Sequence, residues 1–256
     1  MSAPQLTQRL NDGDVLLGVA QTLPSPGILE SMLCPGWDFV WIDGQHGQFD
    51  YHELLNSVRT ADLMGIETIV RVPGHDYGTL GLHADMGPAA IMVPMVNSAA
   101  IARSVVSALR FPPLGSRSFG GRRPCDVFGK GYHQTHEPCI LAQIETAEGL
   151  ANAGDIAAEP GVGMLFFGPA DMKLSMGLPL EAPVDETPEL QDAMVRIAEA
   201  AAKAGKLAGC ICQTPDALKA ARALDYRLIA GGADVLFIRQ GTADRLADLR
   251  QALEES

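Results

Sequence analysis

The 256-residue sequence has no uninterrupted apolar run approaching the roughly 18 residues of a membrane-spanning helix, so no span is expected. Its opening, MSAPQLTQRLNDGD, lacks the apolar core of a secretion signal, and a cytoplasmic location is expected. Positive charge is scarce: 19 Lys and Arg against 31 Asp and Glu give a formal net charge of −12. That balance argues against nucleic acid as a partner and disfavours an anionic membrane surface. A small anionic substrate remains compatible, because a few arginines or a bound cation can invert the field in one cleft. The five cysteines (Cys34, Cys125, Cys139, Cys210, Cys212) are odd in number and form no C-x-x-C, which fits a reduced protein without a disulfide framework. Cys210-x-Cys212 lies on what reads as a buried strand, so core packing is expected of it rather than metal or redox use. Also missing is a G-x-G-x-x-G after the first apolar run. Gly161-Val162-Gly163 precedes a strand rather than following one, so a doubly wound dinucleotide fold is disfavoured.

What is present is a rhythm. Short apolar runs at Val15–Val19, Phe39–Ile42, Thr68–Val72, Ala90–Val93, Ile140–Ile144, Met164–Phe167, Leu207–Ile211 and Val235–Ile238 read as strands. Amphipathic stretches read as helices between them: Pro26–Leu33, Tyr51–Met64 with Gly65 as its stop, Tyr77–Met86, Ser98–Leu109, one from Ala147, Glu189–Ala204 and Pro215–Leu224, with Ala243–Leu253 closing the chain. Strands apolar throughout, each followed by a helix, imply a covered parallel sheet. Eight such units in this length predict one (β/α)8 TIM barrel, a single domain over residues 1–256. Phe111–Pro138, rich in Pro and Gly, interrupts the rhythm. Its aromatic and Arg content predicts an ordered loop near a site.

In such a barrel the chemistry gathers at the C-terminal strand ends. Those ends read Asp43-Gly44-Gln45-His46, Arg71, Gln143-Ile144-Glu145, Gly168-Pro169-Ala170-Asp171, the vicinity of Gln213, and Arg239-Gln240. Gln143 and Glu145 are two apart and so share one face of a strand. Glu145 beside Asp171 makes an oxygen-ligand pair, suited to Mg2+ or Mn2+ with positions left for water and substrate. His46 is a candidate general base, and Arg71 a candidate holder of a carboxylate or oxyanion. Each has a plainer alternative. Glu145 and Asp171 are also candidates to cap the following helices. His46 also reads as a solvated turn residue, Arg71 as the partner of Asp43 at the barrel mouth, and Arg117, Arg122 and Arg123 as a solvated loop face. His52, His75, His83, His133 and His136 show no usable spacing, although the last two sit where a lid is conceivable.

From about Leu17 to Leu253 the chain resembles the class II pyruvate aldolases of the HpcH/HpaI type. The resemblance runs in order through Trp37-Asp38-Phe39-Val40-Trp41-Ile42-Asp43-Gly44-Gln45-His46-Gly47, Val70-Arg71-Val72-Pro73, Ile91-Met92-Val93-Pro94-Met95-Val96, Pro112-Pro113-Leu114-Gly115-Ser116-Arg117-Ser118, Gln143-Ile144-Glu145-Thr146 and Gly168-Pro169-Ala170-Asp171-Met172. It implies reversible cleavage of 4-hydroxy-2-oxo acids to pyruvate or hydroxypyruvate and an aldehyde, through an enolate whose charge a divalent metal counters. The metal would be Mg2+ or Mn2+, with Co2+ or Zn2+ as alternatives. It further implies His46 as catalytic base, Asp85 as the residue that raises its basicity, Arg71 as transition-state stabiliser, Glu145 and Asp171 as metal ligands, and Gln143 and the Ala170 backbone as substrate contacts. The family commonly has Asp-x-Glu-His where this chain has Asp43-Gly44-Gln45-His46, so one negative charge beside the metal is missing.

Asp85 raises a difficulty with its own resolution. It ends the helix between strands three and four, which places it on the barrel face opposite His46. Both statements hold if Asp85 completes the site of a neighbouring protomer, so a homo-oligomer with shared sites is expected, a hexamer by resemblance. Two rivals compete. An acyl-CoA lyase of the malyl-CoA or citramalyl-CoA type would need positive charge for the CoA tail. A non-catalytic metabolite-binding barrel would have lost strand-end ligands.

Overall fold

The computed structural model of the chain describes residues 5 to 255. Its elements are α1 (Leu6–Asn11), β1 (Leu16–Gln21), α2 (Pro26–Leu33), β2 (Phe39–Asp43), α3 (Tyr51–Met64), β3 (Glu67–Arg71), α4 (Tyr77–Ala84), β4 (Ala90–Val93), α5 (Ala99–Leu109), α6 (Arg122–Val127), α7 (Tyr132–Thr135), β5 (Cys139–Ile144), α8 (Ala147–Ala151), α9 (Ala153–Ala158), β6 (Met164–Phe167), α10 (Pro169–Met176), α11 (Pro188–Lys203), β7 (Leu207–Ile211), α12 (Pro215–Ala223), β8 (Tyr226–Ala233) and α13 (Asp234–Glu254). The eight strands pair in sequence order, all parallel, and β8 returns to β1 to close the barrel.

Strand alternation divides the core into two layers. Inward residues, among them Leu16, Phe39, Trp41, Ile69, Met92, Leu141, Phe166 and Leu228, fill the barrel. Outward residues such as Val19, Ile42, Val70, Ile91 and Leu165 meet the helix faces of Val58, Leu109 and Ile197. Small residues make room for large ones: a Cβ on Gly18 would lie 2.5 Å from the Phe39 ring. The lower end is closed by α1, whose Leu6 and Leu10 are fully buried in the inner layer. Helix α1 has no side-chain cap. Burial of about 1.5–3 kcal/mol per Leu outweighs the roughly 1 kcal/mol a cap contributes.

The upper ends of the helices are specified by capping chemistry. Ser25, Asp76, Ser98, Thr146 and Thr214 each accept a backbone N–H of the helix they precede. Asp50 and Glu53 form a reciprocal capping box on α3. At its far end Gly65 takes the left-handed conformation, φ 73°, that stops the helix.

One strand differs from the sequence expectation. Val235–Ile238 lies in α13, and the eighth strand is Tyr226–Ala233. Gly231-Gly232 lies near the end of that strand, at the irregularity in its pairing with β1, and Gly232 has φ 157°. The apolar Val-Leu-Phe-Ile run has strand-like composition but follows Asp234, which is buried and fixes the helix start. Asp234 accepts from Thr22 Oγ1 at 2.6 Å and from the Thr22 and Leu23 N–H groups at 2.8 Å. Arg239 and Gln240 therefore sit exposed on α13 and not at the mouth. No helix among the described residues is long and apolar enough to cross a membrane.

Candidate active site

The mouth is built from the ends of β2, β3 and β5 and from the first turn of α10. Asp43 and Arg71 are register partners on adjacent strands. Their side chains meet in a two-bonded fork: Arg71 donates Nε to Asp43 Oδ1 at 2.9 Å and Nη2 to Oδ2 at 2.6 Å, with both side chains under a tenth exposed. The guanidinium also lies 4.7 Å from the Trp41 ring centroid. Burial opposes ionisation of Asp43, but the Arg71 guanidinium and the His46 and Gln45 N–H groups more than offset it, and its pKa falls below the usual value. The fork uses one edge of Arg71 and leaves Nη1 for a ligand. The simpler expectation of an Asp43–Arg71 pair at the barrel mouth is thus what the structure shows.

Across the barrel, Gln143 Nε2 donates to Glu145 Oε2 at 2.6 Å. Glu145 is buried, and its Oε1 accepts the Met95 N–H at 2.8 Å. Met95 is held at φ 55°, a left-handed conformation costly for a side chain-bearing residue, just after β4. Gly168 is the complementary device: a Cβ there would lie 2.7 Å from Gln143 Nε2 and 2.8 Å from Glu145 Oε2. Asp171, in the first turn of α10, reaches the same place. Burial, with the neighbouring Asp171 carboxylate, pushes Glu145 up to about 7, while the Met95 N–H and Arg71 pull it down. Neither acid caps a helix. Thr146 takes that role on α8, and α10 has no side-chain cap.

The structure therefore brings Arg71, Gln143, Glu145 and Asp171 together, with the exposed Ala170 beside them on α10. His46 lies on the same rim, exposed, its N–H held by Asp43 Oδ1 at 3.2 Å. The Gln45 Oε1 is buried without a hydrogen-bond partner, as is Gln143 Oε1. Asp85 is elsewhere. It follows α4 on the flank and pairs with Arg117 at 2.7 Å. Residues 111–138 contain α6 and α7 and pack near Asp85 and α3. Of the three arginines expected on a solvated face only Arg122 is exposed, because Arg117 is buried and Arg123 pairs with Asp62 and the Met86 carbonyl.

Sequence reasoning missed Trp41 and Met95. Trp41 had a usable signal, since it lies two residues before Asp43 and must share its inward face. Its Nε1 is buried without a partner. The Met95 conformation has no signature in the residue type.

Against known proteins, the model of the HpcH/HpaI aldolase/citrate lyase family matches residues 21–240. The chain belongs to this family. It is accordingly a carbon–carbon lyase. It is 34% identical over 249 residues to the 4-hydroxy-2-oxovalerate aldolase of Novosphingobium aromaticivorans, covering 95% of this chain and 94% of that one. It is 32% identical over 244 residues to the hydroxypyruvate/pyruvate aldolase of Rhizorhabdus wittichii, covering 94% and 96%. Among solved structures, an HpcH/HpaI aldolase/citrate lyase family protein from Burkholderia cenocepacia superposes with a TM-score of 0.88 at 31% identity, over 96% of this chain and 99% of that one.

Proposed function

We propose that this lyase is a divalent-metal-dependent aldolase that reversibly cleaves 4-hydroxy-2-oxo acids to pyruvate or hydroxypyruvate and an aldehyde. The observation that carries the reading is the meeting of Glu145, Asp171, Gln143 and Arg71 at one point of the barrel mouth. The donor set suits a hard cation: two carboxylates, one just past the end of β5 and one in the first turn of α10, a Gly168 without side chain, and a buried amide oxygen on Gln143 lacking a partner. Among the described residues no group of three or more His, Cys, Asp or Glu side chains forms a metal cluster, so a cation on Glu145 and Asp171 would take its remaining ligands from water and substrate. When bound, Mg2+ or Mn2+, or alternatively Co2+ or Zn2+, supplies positive charge opposite the oxygens of the 2-oxo acid.

The chain's own residues do the rest. Arg71, fixed by Asp43 and Trp41, presents its free Nη1 edge to developing negative charge. Gln143 and the Ala170 backbone orient the acid. His46 takes the proton, from the 4-hydroxyl in cleavage or from C3 of the donor in synthesis, and its exposed position leaves room for the aldehyde.

Asp85 completes the site of a neighbouring copy in this reading, within a homo-oligomer with shared sites, a hexamer by family resemblance. Two features support assembly. The Asp85 carboxylate borders an open groove of about 810 Å³ beside α3 and α6. Helix α13 leaves Phe237, Leu246, Leu249 and Leu253 between 42% and 77% exposed. The five free thiols fit a cytoplasmic enzyme.

The test is a panel of aldehydes against pyruvate and hydroxypyruvate with Mg2+ or Mn2+, alongside deuterium exchange of the pyruvate methyl protons. Turnover and exchange are expected to need the cation and to vanish in Glu145→Ala and Asp171→Ala. Full turnover after exhaustive chelation would sink the metal reading. Mixed His46→Ala and Asp85→Ala protomers are expected to recover part of the activity, and a fully active monomer would end the shared-site reading.

A further inference from the structure

Residues 111–138 are tied to Asp62, Asp85 and Met86 on the flank, so their order calls for a reason there. Their centre is Arg117. Its side chain is 2% exposed and donates Nη2 to Asp85 Oδ1 at 2.7 Å. The guanidinium carbon lies 5.0 Å from the Phe111 ring centroid and 5.9 Å from that of Tyr132. Tyr132 in turn stacks on Phe119, centroids 5.3 Å apart. Arg117 Nε and Nη1 are buried with no hydrogen-bond partner. A buried cation with two N–H groups left without hydrogen-bond partners is costly to the fold. Among the described residues Asp85 Oδ1 is its single ionic contact, so the cage is organised around that carboxylate.

Other contacts press the same loop onto α4. The Tyr77 hydroxyl donates to the Ser116 carbonyl and accepts the Ser118 N–H, both at 2.9 Å. A Cβ on Gly121 would lie 2.6 Å from Asp85 Cγ, so only glycine lets the backbone approach the carboxylate this closely. Arg117 engages Oδ1, while Oδ2 has no hydrogen bond to another described residue. The carboxylate is 31% exposed, on the groove where a second copy would sit.

We infer that Arg117 is a positioning residue: from within its aromatic cage it fixes the orientation in which Asp85 is presented to the His46 of a neighbouring copy. This rests on the shared-site reading above. The 111–138 segment is then a clamp behind a donated carboxylate, and its Gly120-Gly121-Arg122-Arg123 turn shapes the groove in which that carboxylate is offered.

The experiment uses the full chain with Mg2+ and pyruvate in D2O, reading the rate constant and KM for methyl-proton exchange in Asp85→Asn, Arg117→Met, Arg117→Lys and the double variant Asp85→Asn/Arg117→Met. Oligomer size and thermal unfolding are followed for each. Asp85→Asn is expected to lower the rate constant about 100-fold. Arg117→Met is expected to lower it about 10-fold with the pyruvate KM unchanged, because a misplaced group costs rate rather than binding. Arg117→Lys recovers part of that loss. The double variant is expected to be no slower than Asp85→Asn alone, since a residue acting only through Asp85 has nothing left to act on. Should Arg117→Met fail to fold or assemble, Arg117→Lys and its double with Asp85→Asn decide by the same comparison. Wild-type rates in the Arg117 variants, beside a slow Asp85→Asn, overturn the inference and leave the shared site intact. A double variant slower by the full Arg117 factor also overturns it. A wild-type rate in Asp85→Asn removes the shared-site reading, and the inference with it.

Discussion

Two arginine–carboxylate pairs organise this molecule, and they are built alike but aimed differently. Inside the barrel, Arg71 and Asp43 are 8% and 7% exposed, joined by two bonds, with the guanidinium against Trp41. On the flank, Arg117 and Asp85 are 2% and 31% exposed, joined by one bond, with the guanidinium between Phe111 and Tyr132. In both, aromatic rings and a carboxylate fix the planar cation. In the inner pair the acid is consumed and a free edge of the arginine faces the site. In the outer pair the arginine is enclosed and a free oxygen of the acid faces out. The same contact therefore yields a cationic group in one place and an anionic group in the other. Which partner keeps an unused hydrogen-bonding edge decides which charge the protein offers.

The largest expected effects come from breaking the inner pair. Arg71→Met is expected to lower kcat/KM about 100- to 1000-fold, the loss of one group aimed at developing charge. Asp43→Asn leaves that cation buried and unpaired and is expected to cost about 3–5 kcal/mol of stability, read from denaturant unfolding. By contrast Asp85→Asn, whose carboxylate is part-exposed, is expected to change monomer stability by less than about 1 kcal/mol. Equal destabilisation by the two substitutions would show that the contrast between the pairs is not energetic.

A smaller effect is expected opposite the inner pair. Gly168→Ala places a methyl 2.7 Å from Gln143 Nε2 and Glu145 Cβ. Backbone φ is ordinary there, −102°, so the cost falls on the acid's position rather than on the fold. Activity is expected to drop about 100-fold, and metal affinity, measured by titration calorimetry, to fall with it. Wild-type affinity for Mn2+ in that variant would place the cation away from Glu145.

How legible this was in the sequence depended on periodicity and on range. The two-residue period put Gln143 with Glu145 on one inward face, and the strand order put Asp171 next to them. Gly65 marked the end of its helix. Where composition and period conflicted the reading failed: the Val235–Ile238 run looks like a strand, but the sheet closes through Tyr226–Ala233 instead. The rim residues Arg239 and Gln240 went with it. Long-range packing was illegible. Nothing local to Arg117 says that it is buried 32 residues away in sequence from the acid it holds. Nothing in the residue type of Met95 announces φ 55°. His46, by contrast, was read for its chemistry, and the structure adds its exposure and place on the rim.

The smallest expected effect concerns charge inside the barrel and is read without substrate. Glu145 is raised from 4.5 to about 7 by burial and by Asp171. A carboxyl whose folded-state pKa is raised holds its proton more tightly folded than unfolded. Its contribution to stability is fully present below 4.5 and is lost as pH rises through about 7. Metal-free wild-type protein is therefore expected to lose stability across that window relative to Glu145→Gln, which carries no titrating group there. The limiting slope is about 1.4 kcal/mol per pH unit. Thermal melts of both proteins with chelator from pH 4 to 8 would show the curves diverging as pH rises. Added Mn2+ favours the ionised carboxylates, so it is expected to narrow the gap most at the upper end of the window. The flank pair offers the control: Asp85→Asn leaves Glu145 untouched, and its melts are expected to diverge from those of Glu145→Gln as the wild type does. Parallel wild-type and Glu145→Gln curves would mean that Glu145 is already ionised in the metal-free fold, and that Arg71 rather than a cation is the charge it answers to.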